Sequence, residues 1–134
     1  MAITFTVAGD PVPQPRARIT VRAGHGHAYT PKDHKIHAYR AAVALKAKGL
    51  CVTPTDKPVT LEVVFCFKRP ASHYGKGGVL KPLAPEFPKA DCSNLLKGFE
   101  DSLNGIAWLD DSQVVCVSCS KLYGDMGYTL ARIT

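Results

Sequence analysis

Apolar and polar residues alternate at the start of the chain, where threonines separate Ile3, Phe5 and Val7. This period of two predicts a strand with one buried face. Three prolines within residues 9–15 end the pattern, because proline cannot donate to a sheet ladder. A second alternation over residues 18–22, a glycine-containing turn, and residues 27–29 predict a basic hairpin or a pair of short strands.

A first helix is predicted after the hairpin. Thr30 is a favourable N-cap, and Pro31 is a favourable first helical residue. We expect this helix to run to about residue 48, where Gly49 stops it.

A second helix is predicted further along the chain. Asp91 or Ser93 can cap its start, Asn104 should end it, and Gly105 suits the position just beyond. Its buried stripe recurs at helical spacing and comprises Cys92, Leu95, Leu96, Phe99 and Leu103.

The remaining apolar runs predict three more strands, over residues 59–67, 113–123 and 128–133. A loop rich in proline and glycine fills residues 69–90, and a loop of this length in a small domain is usually functional or mobile. We therefore predict one α+β domain over residues 1–134, with a mixed sheet of about four to six strands and two helices packed on it.

Composition narrows the class of protein. The chain has 134 residues and a net charge of +6, with neither an apolar run long enough for a membrane span nor a secretory signal. Its five cysteines are an odd number at irregular spacing, which favours reduced thiols in a cytoplasm.

The distribution of charge is more informative than the total. Residues 1–85 carry a net charge of +9, whereas residues 86–111 carry −4. The basic part would attract a polyanion such as nucleic acid, and the acidic part would repel one unless a cation lies between them. Surface charge that only keeps a small protein in solution is the alternative.

The acidic segment has the residues of a divalent-cation site. Asp91 enters the second helix, and Asp110 and Asp111 are adjacent, which suits a hard ion such as Mg²⁺. We expect Lys97 to direct its ammonium back toward Asp91 and a phosphate bound there. The alternative is that Asp91 only caps the helix and that the aspartate pair only forms a polar turn.

Residues 89–114 read KADCSNLLKGFEDSLNGIAWLDDSQV. This stretch resembles the signature of the RusA-type Holliday junction resolvases, as does the segment rich in proline and arginine at residues 13–18. The matching positions are Asp91, Asn94, Leu95, Lys97, Asp101, Leu103, Trp108, Asp110, Asp111, Gln113 and Val114.

The resemblance implies a homodimeric, Mg²⁺-dependent endonuclease that nicks four-way DNA junctions symmetrically in recombination and repair, with Mn²⁺ able to substitute. Asp91 and Asp111 match metal-binding catalytic aspartates, Asp110 matches their acidic neighbour, and Lys97 matches an active-site lysine. An ion there would polarise the scissile phosphate and activate water. We expect a bacterial cytoplasmic protein, encoded by the cell, a phage or a prophage.

Ser93 departs from the family pattern, which has an aspartate at this position. A serine hydroxyl is neutral and a weaker ligand. Ser93 can bind the metal through water, Asp110 can compensate, or activity can be reduced or lost. The second hypothesis is therefore a non-catalytic or weakly catalytic protein that binds branched DNA.

Basic residues of the first half are candidate phosphate contacts. The expected DNA-binding set comprises Arg16, Arg18, Arg22, Lys32, Lys35 and Asn94. A solvated basic face is the alternative for any one of them.

Overall fold

A four-stranded mixed sheet carries both helices on one face in the computed structural model, which describes residues 2–15, 18–51 and 53–134. The side chains of Arg18 and Arg22 also lie outside the description. The elements in chain order are β1 (Ile3–Ala8), β2 (Arg18–Arg22), β3 (His25–Tyr29), α1 (Ile36–Leu50), β4 (Val59–Lys68), α2 (Cys92–Leu103), β5 (Val114–Gly124) and β6 (Tyr128–Ile133).

The order of strands in the sheet is β1-β6-β4-β5. The pairs β1–β6 and β6–β4 are antiparallel, whereas β4 and β5 are parallel. A parallel pair needs a crossover connection, and the long loop and α2 supply it. The strands β2 and β3 form a separate antiparallel hairpin, as the alternation predicted.

The core lies between the sheet and the two helices. Val59, Leu61, Val63 and Phe65 alternate along β4 with more exposed residues, and each is almost completely buried. Phe99 of α2 packs edge-on against Phe65, with ring centroids 6.1 Å apart. These contacts fix α2 across the face of the sheet and confirm the predicted α+β class.

The start of α1 differs from the sequence prediction, which placed the N-cap at Thr30. The helix begins at Ile36, because Pro31 O accepts a hydrogen bond from His34 N–H at 3.2 Å and closes a turn ahead of it. His34 Nδ1 then accepts from Ile36 N–H at 3.0 Å. A histidine side chain thus replaces the predicted threonine cap.

The other boundaries follow the sequence more closely. The first helix passes through Gly49 and ends at Leu50, since no left-handed backbone interrupts it there. The second helix has Asp91 as its N-cap and Asn104 as its C-cap, and Gly105 follows with a φ of 79°. Among the described residues, no helix is long and apolar enough to cross a membrane.

Gly127, in the turn before β6, should tolerate no side chain, whereas Gly49 should accept one. A Cβ at Gly127 would lie 2.7 Å from Asp10 N and 2.8 Å from Asp10 Cα, which are backbone atoms. We expect Gly127→Ala to lower the free energy of unfolding by about 1–3 kcal/mol. Gly49→Ala meets nothing within 4 Å and should raise it by roughly 0.5–1 kcal/mol. Urea unfolding of both variants measures the difference, and equal midpoints would contradict it.

Candidate functional site

Asp91 is the N-cap residue of α2, but its side chain makes no hydrogen bond to the helix. Its backbone is extended, with φ −72° and ψ 137°, and its carbonyl oxygen accepts from Leu95 N–H at 3.0 Å. The carboxylate makes no capping hydrogen bond and is exposed. The interpretation of Asp91 as only a cap is therefore wrong for its side chain, which remains available to a ligand.

A lysine from β5 fixes the residue that precedes Asp91. Lys121 Nζ donates to the carbonyl oxygen of Ala90 at 2.8 Å and lies 5.5 Å from the centre of the Phe87 ring. Lys121 pairs with buried Phe65 across β4 and β5, and so faces the helices. Sequence reasoning missed this contact, although a lysine at an inward position of a strand was the available signal.

The pair of adjacent aspartates lies in a short 3₁₀ turn that depends on Gln113. Gln113 Oε1 accepts from the N–H groups of Leu109 and Asp110, both at 2.8 Å. Its Nε2 donates to the carbonyl oxygens of Thr55 at 2.8 Å and Lys57 at 2.9 Å. The turn is thereby tied to the segment that leads into β4.

The two aspartates of this turn have different partners. Asp110 belongs to a reciprocal capping box, and its Oδ2 accepts from Ser112 Oγ at 2.8 Å. Asp111 Oδ1 accepts from the indole N–H of the buried Trp108 at 2.9 Å. Asp110 thus shapes the turn, while Asp111 is oriented from the core.

Glu100, on α2, is an acidic neighbour of Asp111 that sequence reasoning missed. Partial burial raises the pKa of Glu100, and the negative charge of Asp111 raises it further. Asp111 lies near the C-terminal end of α2, because its partner Trp108 forms a backbone bridge with Asn104, the C-cap of that helix. The sequence did not reveal Glu100 as part of the acidic site. Glu100 is nine residues from Asp91, and residues at this spacing lie on opposite sides of a helix.

Lys97 does not point where the sequence analysis expected. Its Nζ lies 3.6 Å from Asp101 Oδ1, one turn toward the C-terminus, and Arg40 also pairs with Asp101 at 3.3 Å. The attraction of this carboxylate outweighs the usual lean toward the helix start. The expected direction toward Asp91 is therefore wrong in this structure.

The candidate ligands are hard oxygen donors, which suits Mg²⁺, but they do not form one cluster. Asp91 and Ser93 are at the start of α2, whereas Asp110 and Asp111 are beside its end. No group of three or more His, Cys, Asp or Glu side chains is placed to hold a metal in the described parts of the chain. The four metal ligands predicted from the sequence therefore cannot all bind one ion within a single chain.

The candidate DNA contacts of the hairpin are only partly described. Arg16 lies outside the described residues, as do the side chains of Arg18 and Arg22, so these three stay predictions. Lys32 lines an open cleft of about 640 Å³ together with His27.

A second cleft, of about 330 Å³, opens beside the start of α2 and gathers three lysines. Lys35 was predicted as a DNA contact, whereas Lys68 and Lys89 were not. Asn94, also predicted as a DNA contact, lies in the first turn of α2 and has an exposed side chain. Its backbone carbonyl oxygen accepts from Gln14 N–H at 2.9 Å. This bond holds the proline-rich segment against α2.

Comparisons with known proteins define the family. The family described as Endodeoxyribonuclease RusA matches residues 8–134. An uncharacterized protein of Bacillus subtilis (strain 168), YqaN, is 34% identical over 132 residues, covering 92% of this chain and 89% of its own. The chain therefore belongs to the RusA endodeoxyribonuclease family, as its motif indicated.

Replacing Gln113 should loosen the aspartate turn. We expect Gln113→Ala to lower the free energy of unfolding by about 2 kcal/mol, because four hydrogen bonds to backbone groups disappear. Ser112→Ala is the control, since that side chain makes one exposed bond and should cost less than 1 kcal/mol. Urea unfolding measures both, and a loss no larger for Gln113→Ala than for the control would refute the role of Gln113.

Proposed function

We propose that this protein is a Mg²⁺-dependent, structure-specific DNA endonuclease that resolves four-way junctions by paired symmetric nicks. The observation that carries the proposal is the exposed carboxylate of Asp91, which the helix start leaves without a capping bond, in a chain of an endodeoxyribonuclease family. Mg²⁺ is usually held by one or two carboxylates together with water and substrate phosphate, and this carboxylate is accessible to such an ion. The proposed setting is recombination and repair in the bacterial cytoplasm.

Each candidate catalytic residue has a role consistent with its contacts. Trp108 orients Asp111, and the first-turn amides of α2 beside Asp91 favour a phosphate. The side chain of Lys97 is 67% exposed, so its ammonium can exchange Asp101 for a substrate phosphate. We assign Asp110 to shaping the turn first and to the ion second.

The proposed partner is branched DNA, bound by a homodimer. Two equivalent strands are cut, and a two-fold symmetric pair of protomers presents equivalent sites to them. Lys35, Lys68 and Lys89 extend the proposed DNA contacts along the second cleft toward Asp91. Binding should weaken steeply with salt, because phosphate contacts release counterions.

Ser93 supports the alternative of a branched-DNA-binding protein with little or no cleavage. It is exposed on the first turn of α2, two residues beyond Asp91, and adds no negative charge there. A nuclease with broader branched-DNA specificity is compatible with the same residues.

Neutralising one aspartate should separate cutting from binding. We expect Asp111→Asn to reduce nicking of a synthetic four-way junction at least 100-fold in Mg²⁺ or Mn²⁺, while the affinity for the junction changes less than threefold. The asparagine oxygen can still accept from Trp108, so the fold should be retained. Asp91→Asn should behave alike, since asparagine is also a good N-cap.

Glu62→Gln is the matched control for the lost charge. Glu62 lies on the sheet face opposite the helices, 3.8 Å from Arg132 and half exposed, so its loss should leave nicking unchanged. Wild-type protein that binds the junction but never nicks it would favour the DNA-binding alternative.

Restoring the family aspartate should strengthen metal binding. We expect Ser93→Asp to lower the Mg²⁺ concentration for half-maximal nicking by about tenfold, because affinity follows the number of charged ligands. Ser72→Asp, in an exposed loop turn, adds the same charge elsewhere and should have no such effect. An unchanged Mg²⁺ requirement would show that this position is not part of the site.

A further inference from the structure

The long loop over residues 69–90 packs against a tyrosine near the end of β5. Arg69 Nη1 donates to the carbonyl oxygen of Pro85 at 2.7 Å, which ties two distant parts of the loop together. The Arg69 guanidinium also lies over the ring of Tyr123, 4.3 Å from its centre. His73 meets the same ring edge-on, with ring centres 5.4 Å apart. The loop therefore holds the ring of Tyr123 in one orientation.

Tyr123 and Phe67 form a cross-strand aromatic pair beyond the start of α2. They are partners in the register of β4 and β5, two residues beyond the buried Phe65, and so share its face of the sheet. The helix begins at the level of Cys119, whose Sγ lies 3.8 Å from the carbonyl oxygen of the first helical residue. The aromatic pair is four residues, or about 13 Å, further along the strand. Both rings are half-buried and line the second cleft.

The rim of the second cleft is positively charged. Lys35, Lys68 and Lys89 line it with exposed side chains, against one acidic residue, Asp10. Asp10 Oδ1 accepts from the backbone N–H of Lys68 at 2.9 Å, which fixes this carboxylate. The excess of lysines favours a phosphate. The volume of about 330 Å³ is near the lower end of the ~300–1,000 Å³ typical of small-ligand pockets, which suits a single nucleotide.

The second cleft adjoins the candidate metal ligand at the start of α2. Lys89 and Ala90 line the cleft and directly precede Asp91. Lys121 Nζ donates to the carbonyl oxygen of Ala90 at 2.8 Å, so this connection is held to β5. A DNA strand with one phosphate at Asp91 would therefore have a neighbouring nucleotide at the cleft.

We propose that the second cleft binds one unpaired nucleotide of a DNA strand, with its base against Phe67 and Tyr123 and its phosphate beside the lysines. Aromatic side chains stack on unpaired bases of any sequence, and basic side chains follow the backbone. A base within a duplex must first leave the stack, which costs least where pairing is already interrupted. The cleft would thus favour branched DNA over duplex. The placement of this nucleotide beside the cut phosphate rests on the proposed function.

Binding of single strands in EDTA tests the nucleotide site without cleavage. The probes are fluorescein-labelled hexathymidylate and an abasic hexamer of equal length and charge, compared by fluorescence anisotropy. Wild-type full chain should bind hexathymidylate at least fivefold more tightly, because only this probe can stack. Tyr123→Leu should abolish the preference and Tyr123→Phe should retain it. Tyr128→Leu is the matched control, since Tyr128 lies on the opposite face of the sheet and its loss should leave the preference unchanged.

The lysines should act on both probes alike. We expect Lys89→Gln to weaken binding of each hexamer about threefold, because both carry the same phosphates. Lys48→Gln is the control for charge, since Lys48 is 13 residues and about 20 Å along α1 from Lys35 and should have no effect. Unchanged binding of both hexamers by Lys89→Gln would overturn the phosphate contact.

Nicking of a four-way junction locates the nucleotide. When an abasic residue replaces each nucleotide near the cut in turn, one position should lower wild-type nicking at least fivefold. In Tyr123→Leu, the same abasic residue should cause no further loss.

The outcomes separate the two proposals. If wild-type protein nicks the junction while Tyr123→Leu matches it in nicking and in binding both hexamers, the nucleotide site is overturned and the proposed function stands. If the base preference depends on Tyr123 but no junction is cut, the proposed function fails and the nucleotide site stands. Equal binding of the two hexamers by wild-type protein, from charge alone, also overturns the nucleotide site.

Discussion

The parallel pairing of β4 with β5 is the constraint on which the rest of the structure depends. Parallel neighbours cannot be joined by a tight turn, so the chain must return along the sheet before β5 begins. The helix α2 makes this return and consequently runs opposite to both strands. Asp91 opens the crossover and Asp111 closes it, which is why residues of one short motif lie at opposite ends of the sheet.

At both ends of this crossover, the side chains that hold the backbone in place are different from the candidate metal ligands. Lys121 holds the backbone ahead of Asp91, and Gln113 holds the backbone around the aspartate pair. Phe99 anchors the middle of the helix to the core. The Asp91 carboxylate makes no bond on which the fold depends, so its negative charge is free to interact with a ligand.

The sequence predicts most of the strands and the second helix, because burial follows a period of two in β1 and β4 and a helical period in α2. Propensity fails at the start of α1, where the side chain of His34 competes with the expected cap. The direction of Lys97 and the proximity of Glu100 to Asp111 depend on contacts across space, so sequence spacing does not reveal them. The family motif identifies candidate residues but not the distances between them.

The separation of Asp91 from Asp111 shows that the acidic segment is not one local cluster of charge. Residues 86–111 carry a net charge of −4, yet the crossover spreads this charge over the length of a helix rather than concentrating it at one point. The acidic side chains at the two ends of α2 therefore have different surroundings, because Asp91 is exposed and makes no capping bond, whereas Asp111 is oriented by the buried Trp108.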